Sequence, residues 1–276
     1  MKSVRLDNYN IEISNKNPLV FIAGTCVIES YDNYYITLKK LKEISDKLGV
    51  RFIAKASFDK ANRSSINSYR GPGLVEGVEI LKRVKKELNL PLLIDIHLPH
   101  QADIVAEICD IIQIPAFLCR QTDILIAAAQ TGKVVNVKKG QFISPWEIRN
   151  IIRKIESRNN YNIMITERGY MFGYNNLVVD MRAFEIMKEF GYPIIFDATH
   201  SVQRPAGLGD RSAGDRQFIK PLARASVACA IAGVFFETHL DPDNALSDGP
   251  NSLPLDEVEE FMSVLNKLDK FVKSIL

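Results

Sequence analysis

Eight short apolar runs in this 276-residue chain each end at, or just before, a side chain able to bind charge or metal. Those side chains are Cys26, Lys55, Asp95, Gln113, Lys138, Arg168, His200 and Glu237. Two chemistries can be assembled from them. Cys26, His200 and Glu237 offer a thiolate, an imidazole and a carboxylate, and the segment after the eighth run adds Asp241, Asp243 and Asp248. That borderline-soft donor set suits Zn(II), Fe(II), Co(II) or Mn(II). Lys55, Lys138 and Arg168, joined by Lys60, make an anion pocket, in which a guanidinium grips phosphate through two hydrogen bonds and each ammonium adds a point charge. Taken singly, each residue has a plainer reading. Cys26 alone is a packing thiol, His200 a hydrogen-bonded strand-end histidine, and the cations partners in rim salt bridges such as Lys55 with Asp95. Only convergence on one place separates the two readings.

The elements that would bring them together follow from the hydrophobic pattern. The runs are 19–23, 51–54, 92–94, 111–114, 134–137, 163–166, 193–196 and 233–236. They are nearly continuous and rich in Val and Ile, as parallel strands buried on both faces are. Between them lie stretches with helical spacing: Leu38, Leu41, Ile44 and Leu48; Val75, Val78, Leu81, Val84 and Leu88; then 102–108, 124–130, 145–155, 181–190, 218–232 and 255–275. Ser144-Pro145 reads as a helix start and Phe190-Gly191 as a helix end. Eight strand–helix units argue for a single (β/α)8 barrel domain over residues 1–276, with a doubly wound open sheet as the alternative. Val4 to Ile13, turning at Asp7-Asn8-Tyr9-Asn10, reads as a hairpin, so residues 1–15 form an N-terminal hairpin cap. In such a barrel, reactive groups come from the C-terminal strand ends.

Two loops carry further signals. Residues 55–74 hold Lys55, Lys60, Arg63 and Arg70 among Ser57, Asn62, Ser64 and Ser65, and end in Gly71-Pro72-Gly73. A polar loop of this length suits a phosphorylated or carboxylated small molecule. Residues 200–215 are long and Gly-rich and read as a mobile lid. They lack the Lys-Ser/Thr ending of a nucleotide-binding loop. Lys139 reads as a solvated neighbour of Lys138, His97 and His100 as loop residues, and His239 as structural or as support for the metal site.

Bulk properties exclude other classes. A formal charge of +2 argues against nucleic-acid or membrane partners, and no apolar stretch is long enough to span a bilayer. The first residues lack an apolar signal core, which points to the cytoplasm. The four cysteines are scattered without zinc-finger spacing, so most are expected to be buried thiols.

Several motifs carry a resemblance. Lys-Ala-Ser-Phe-Asp-Lys-Ala-Asn-Arg-Ser-Ser (55–65), Gln-Ile-Pro-Ala-Phe-Leu-Cys-Arg-Gln-Thr-Asp (113–123), Asn-Val-Lys-Lys-Gly-Gln-Phe (136–142), Phe-Gly-Tyr-Asn-Asn-Leu-Val-Val-Asp (172–180) and Phe-Asp-Ala-Thr-His-Ser-Val-Gln (196–203) resemble the KDO-8-phosphate synthases over almost the whole chain. Related synthases of seven-carbon aromatic precursors carry a Lys-Pro-Arg-Thr-Ser type motif where this chain has Lys60-Ala61-Asn62-Arg63-Ser64-Ser65. The resemblance implies condensation of phosphoenolpyruvate with D-arabinose 5-phosphate and release of phosphate, in a pathway feeding lipopolysaccharide assembly. It implies that Lys55, Lys60, Gln113, Lys138 and Arg168 hold phosphoenolpyruvate, with Ala116 offering a backbone N–H. Asn62, Arg63 and Ser64 hold the sugar phosphate, and Ser57 in the same loop counts among the substrate-binding residues. Asp95 orients the lysines, and Gln203 reaches the sugar. It further implies a homotetramer, with Phe117 and Arg120 reaching a neighbouring site, and a divalent metal ion on Cys26, His200, Glu237 and Asp248, since the branch with Cys rather than Asn at position 26 is the metal-dependent one. Leu240 stands where Pro is common, but it is no ligand. His200, Asp248, Glu237 and a phosphate oxygen all remain candidates for the base that deprotonates water.

Two other functions fit some of the same residues. A Schiff-base aldolase would use Lys55 or Lys138. A sugar-phosphate-binding regulator would keep the fold without turnover.

Overall fold

A computed structural model of the chain describes residues 2–204 and 213–276. Eight parallel strands form the barrel: β1 (Val20–Gly24), β2 (Arg51–Ala56), β3 (Leu92–Asp95), β4 (Ile111–Ile114), β5 (Val134–Lys138), β6 (Ile163–Glu167), β7 (Ile194–Asp197) and β8 (Gly233–His239). Each pairs with its successor, and β8 pairs with both β7 and β1, which closes the cylinder and excludes the open sheet. Closure makes β1, β7 and β8 neighbours, as the metal reading requires. Helices alternate with the strands: α1 (Tyr31–Leu48), α2 (Leu74–Leu88), α3 (Gln101–Ala106), α4 (Thr122–Gln130), α5 (Ile148–Glu156), α6 (Arg182–Lys188), α7 (Ile219–Ala228) and α8 (Val258–Ser274).

Local chemistry sets the ends. Ser30 caps α1 by accepting a hydrogen bond from the Asn33 N–H at 3.1 Å, and Gly49 ends it in the left-handed conformation at φ 61°. Ser144 and Glu147 form a capping box around Pro145, which opens a 3-10 turn leading into α5. Gly24 has a role in packing: a Cβ there would lie 2.2 Å from the Lys55 carbonyl oxygen, so only Gly lets β1 approach β2 this closely.

Two expected boundaries move. The helix expected over 218–232 stops at Ala228, because Ala230 turns left-handed at φ 51° and the Ala232 N–H bonds to the Ile194 carbonyl, which starts the strand. β8 runs three residues beyond the expected Phe236, because Thr238 and His239 pair in parallel with Leu253 and Pro254. Glu237 therefore sits inside a strand rather than after it.

Two apolar layers result. One lies between strands and helices. The other fills the barrel with Val20, Ile22, Ile53, Leu93, Ile111, Val134, Met164, Ile195 and Phe235, and is plugged by Val4, Leu6, Ile11 and Ile13 of the N-terminal hairpin (Val4–Leu6 paired with Ile11–Ile13). Among the described residues no helix is long and apolar enough to cross a membrane. Most of the segment read as a lid, residues 205–212, lies outside the described residues.

Candidate active site at the barrel mouth

Side chains alternate across a strand, so the residue two after an inward apolar one also points inward, one layer higher. Applied to the interior cluster, this rule yields the site. Ile53 is followed by Lys55, Leu93 by Asp95, Ile111 by Gln113, Ile195 by Asp197 and Phe235 by Glu237. Val134 leads through Asn136 to Lys138, and Met164 through Thr166 to Arg168. The interior switches from apolar to ionic in one layer, at the C-terminal ends of the strands. One cavity there is lined by Lys55, Lys60, Asn62, Arg63, Ser64, Asp95, Gln113, Ala116, Phe117, Lys138, Arg168, His200, Gln203, Glu237 and Asp248, all expected from sequence, and by His97.

On the wall formed by β1, β7 and β8, Cys26, Glu237 and Asp248 bring their donor atoms within 4.8 Å of one another. The Cys26 thiol is 3.4 Å from Asp248 Oδ2 and 2.8 Å from Ser247 Oγ. His200 turns Nε2 toward the same place, 3.7 Å from Glu237 Oε2 and 3.6 Å from Asp248 Oδ2. Its Nδ1 lies 2.8 Å from Asp197 Oδ2, the contact that orients a ligating imidazole. Glu237 is wholly buried. Its Oε1 takes the Lys55 ammonium at 2.6 Å, while its Oε2 has no hydrogen-bond partner among the described residues. A buried, unpartnered carboxylate oxygen facing a thiol, an imidazole and a second carboxylate fits a divalent cation. Burial pushes the Cys26 thiol well up, and the Glu237 and Asp248 charges push it the same way; a cation at this place opposes that by favouring the thiolate.

The opposite wall is cationic. Lys138 bonds Asp197 at 2.6 Å, and burial lowers its ammonium against the pull of that carboxylate. Burial also lowers the Arg168 guanidinium, whose Nη1 is buried without a partner among the described residues. Burial disfavours the charged form of Lys60, yet the surrounding Cys26, Glu237, Asp95 and Asp248 raise it. An unpartnered guanidinium nitrogen lining the same cavity as two ammonium groups calls for an anion. Gln203 joins the two walls, accepting from Arg168 at 3.2 Å and donating to Asp248 at 3.3 Å.

Several expectations change. The Lys55–Asp95 bridge is absent: Lys55 donates to Glu237 and to the Thr25 and Cys26 carbonyls at 3.1 and 2.6 Å. Asp95 bonds neither lysine. It accepts from Ser57 at 2.5 Å and lies 3.3 Å from His97 Nε2. Burial alone would raise the Asp95 carboxyl, but the His97 contact and the Lys60 and Lys55 charges hold it well below the carboxylate range. Ser57 is therefore buried behind Asp95 rather than lining the cavity, and His97 is a cavity residue rather than a plain loop histidine. Lys139 is not solvated. It is fully buried, 3.6 Å from Glu167 Oε2 and over the Tyr170 ring. Glu167 in turn accepts from the Arg168 and Gly169 N–H groups at 3.0 and 2.6 Å, which fixes the backbone that carries Arg168. His239 serves a structural network with Glu29, Asn33 and Asp241, away from the cavity. His100 is exposed, and Arg120 is exposed and off the cavity, its carbonyl taking Lys154 at 2.7 Å.

Asp197 was missed as a site residue. Its sequence signal is its place two residues after the inward-facing Ile195, one residue past the apolar run that ends at Phe196.

Residues 3–274 match the DAHP synthetase I family. The chain is 53% identical over 266 residues to the 2-dehydro-3-deoxyphosphooctonate aldolase of Fusobacterium nucleatum, covering 96% of each protein. It is 53% identical over 264 residues to the protein of that name in Trichlorobacter lovleyi, covering 96% of this chain and 97% of the relative. It is 52% identical over 266 residues to that of Brucella ovis, covering 96% of each.

Proposed function

The chain belongs to the DAHP synthetase I family, and from that premise we propose that it condenses phosphoenolpyruvate with D-arabinose 5-phosphate and water, giving 3-deoxy-D-manno-octulosonate 8-phosphate and phosphate. The observation that carries this reading is the cavity itself, where a cationic wall with an unpartnered Arg168 Nη1 faces a Cys–Glu–Asp donor cluster. Full-length identity to the phosphooctonate aldolases supports the choice of sugar.

Arg168, Lys138 and Lys60 hold the phosphate and carboxylate of phosphoenolpyruvate, with Gln113 and the Ala116 N–H completing the cradle. Asn62, Arg63 and Ser64, on the outer loop, hold the phosphate of the sugar, and Gln203 touches its chain. The enol carbon forms a bond to the aldehyde carbon, whose oxygen takes up a proton. Water adds to the neighbouring carbon and loses a proton, and the resulting hemiketal phosphate collapses to the ketone as its carbon–oxygen bond to phosphate breaks. Cations already in place around the reactants align the enol with the aldehyde and need no reorganisation as charge moves. Cys26, His200, Glu237 and Asp248 would hold a divalent cation, Zn, Fe, Mn or Co by the softness of the set. A cation held there supplies positive charge for the oxygen on which negative charge builds. Asp197 keeps His200 and Lys138 in place from behind, and Asp95 does the same for His97.

A Schiff-base role for Lys55 is disfavoured by its three hydrogen bonds, to Glu237 and to the Thr25 and Cys26 carbonyls, which turn its Nζ toward the β1–β8 wall. In the same reading the chain acts as one domain in the cytoplasm, as a homotetramer with Phe117 and Arg120 turned to a neighbouring subunit. The half-exposed ring of Phe117 at the cavity rim supports that arrangement. The test is release of phosphate from the two substrates together. Release only when both are present supports the reaction; inactivation by borohydride with substrate would support the Schiff-base alternative.

A further inference from the structure

We propose that Asn136 and Thr166 are positioning residues that set the direction of the Gln113 amide, so that its amino group and not its carbonyl faces the substrate anion. The inference rests on the reading of the cavity as a phosphoenolpyruvate site.

Gln113, Asn136 and Thr166 lie on the adjacent strands β4, β5 and β6, all pointing into the barrel one layer above the apolar plug. Gln113 and Asn136 are register partners. All three are buried, Asn136 and Thr166 completely. Thr166 Oγ1 donates to Asn136 Oδ1 at 2.8 Å, and Asn136 Nδ2 donates to Gln113 Oε1 at 3.0 Å. The carbonyl end of Gln113 is thereby occupied. Its amino group makes no hydrogen bond to another described residue, and Gln113 lines the cavity beside Lys138 and Arg168.

An amide chain of this kind has two directions. If both amides turned over, Thr166 would accept, Asn136 would accept from Gln113, and the Gln113 carbonyl would face the cavity. The reversed direction leaves the buried Thr166 O–H with no acceptor among the described residues, whereas the observed one gives it to Asn136, so the hydroxyl itself favours the observed direction. A carbonyl oxygen against phosphate or carboxylate places two acceptors together, whereas an amino group donates to a charged acceptor. The direction that starts at the Thr166 hydroxyl is the one that binds the anion. A Gln held only by its own torsions would spend part of its time with the wrong end forward, and the relay removes that loss before the ligand arrives. None of the three residues changes charge, so the effect falls on binding rather than on the chemical step.

The test is the affinity for phosphoenolpyruvate, read by calorimetry, alongside KM and kcat from phosphate release. Thr166→Val keeps the shape and removes the donor. It should weaken phosphoenolpyruvate about tenfold, the scale of one compromised hydrogen bond to a charged group, with kcat and the KM for arabinose 5-phosphate little changed. Thr166→Ser should restore binding. Asn136→Asp, which can only accept, should turn the carbonyl of Gln113 forward and cost more than Thr166→Val. In a Gln113→Ala background, Thr166→Val should add nothing, because its effect passes through Gln113. Wild-type affinity in Thr166→Val, or losses that add in the double variant, would overturn the proposal, and a thermal melt shows whether Asn136→Asp is folded enough to count. A wild type that binds phosphoenolpyruvate but releases no phosphate would instead overturn the reaction while leaving the amide relay to stand on its binding data. A wild type that does not bind it overturns both.

Discussion

The two ends of the barrel interior are built from the same strand faces and obey opposite rules. At the lower end, Ile22, Ile53, Leu93, Met164, Ile195 and Phe235 meet the hairpin residues Val4, Leu6, Ile11 and Ile13 in an apolar plug. Further up, two residues along for Lys55, Asp95, Gln113, Asp197 and Glu237 and four along for Lys138 and Arg168, the interior is polar and ionic, and all seven are buried. The plug lowers the free energy of the fold by burial, with no group left wanting a partner. The upper layer is expensive to bury and is tolerated because its charges are cross-paired, Lys55 to Glu237 and Lys138 to Asp197. Arg168 Nη1 and Glu237 Oε2, buried there without a hydrogen-bond partner among the described residues, mark where ligands belong. Stability and chemistry are thus separated by one or two steps of strand alternation.

That separation can be broken from either side. Glu237→Ala should have the largest effect. It abandons the buried Lys55 ammonium, costs about 3–5 kcal/mol in denaturant unfolding, and abolishes phosphate release. Ile13→Ala, in the plug, should cost about 2–5 kcal/mol in the same unfolding experiment. Its folded fraction should turn over at the wild-type rate. Equal loss of kcat in both would contradict the division. Arg168→Lys keeps the charge and loses the fork. It should lower kcat/KM for phosphoenolpyruvate by about 1.5–3 kcal/mol while leaving the melting temperature near that of the wild type.

The smallest effect is expected at the lower rim, where Glu156 meets the Tyr192 hydroxyl at 2.6 Å and Lys2 at 2.9 Å. The Tyr192 hydrogen bond, with Lys2, holds the Glu156 carboxyl below its ordinary range. A folded-state value below the unfolded one means the stabilisation is complete above the unfolded pKa and is lost as pH falls through the folded one. Glu156→Gln should therefore flatten the acid limb of the stability profile slightly, without altering activity at neutral pH.

Much of this could be read from the residues. Nearly continuous Val/Ile runs, alternating with helical spacing, are what a doubly covered parallel barrel demands, and the run ends mark Lys55, Asp95, Gln113, Lys138, Arg168, His200 and Glu237, all of which line the cavity. Partnership was not legible in the same way. Lys55 could pair with Asp95 or Glu237, and only the closure of β8 onto β1 chooses the second. Lys139 follows Lys138 in sequence and so points the other way, out of the cavity, yet it is buried against Glu167 because helices cover that face too. Asp197 ends β7 and Glu237 sits inside β8, each one residue past its apolar run, where hydrophobicity gives no boundary. Ser57 looked like a ligand donor because of its loop, and its position behind Asp95 depends on contacts between β2 and β3.

The most direct test of the central claim, that the Cys26 wall and the cationic wall serve one reaction, is phosphate release from phosphoenolpyruvate and arabinose 5-phosphate before and after treatment with a strong chelator, for the wild type and Cys26→Ala. Activity should disappear on chelation and return with Mn(II), Co(II) or Zn(II), and Cys26→Ala should carry substoichiometric metal with correspondingly low turnover. Full activity in the chelated wild type, or full metal content in Cys26→Ala, would contradict it.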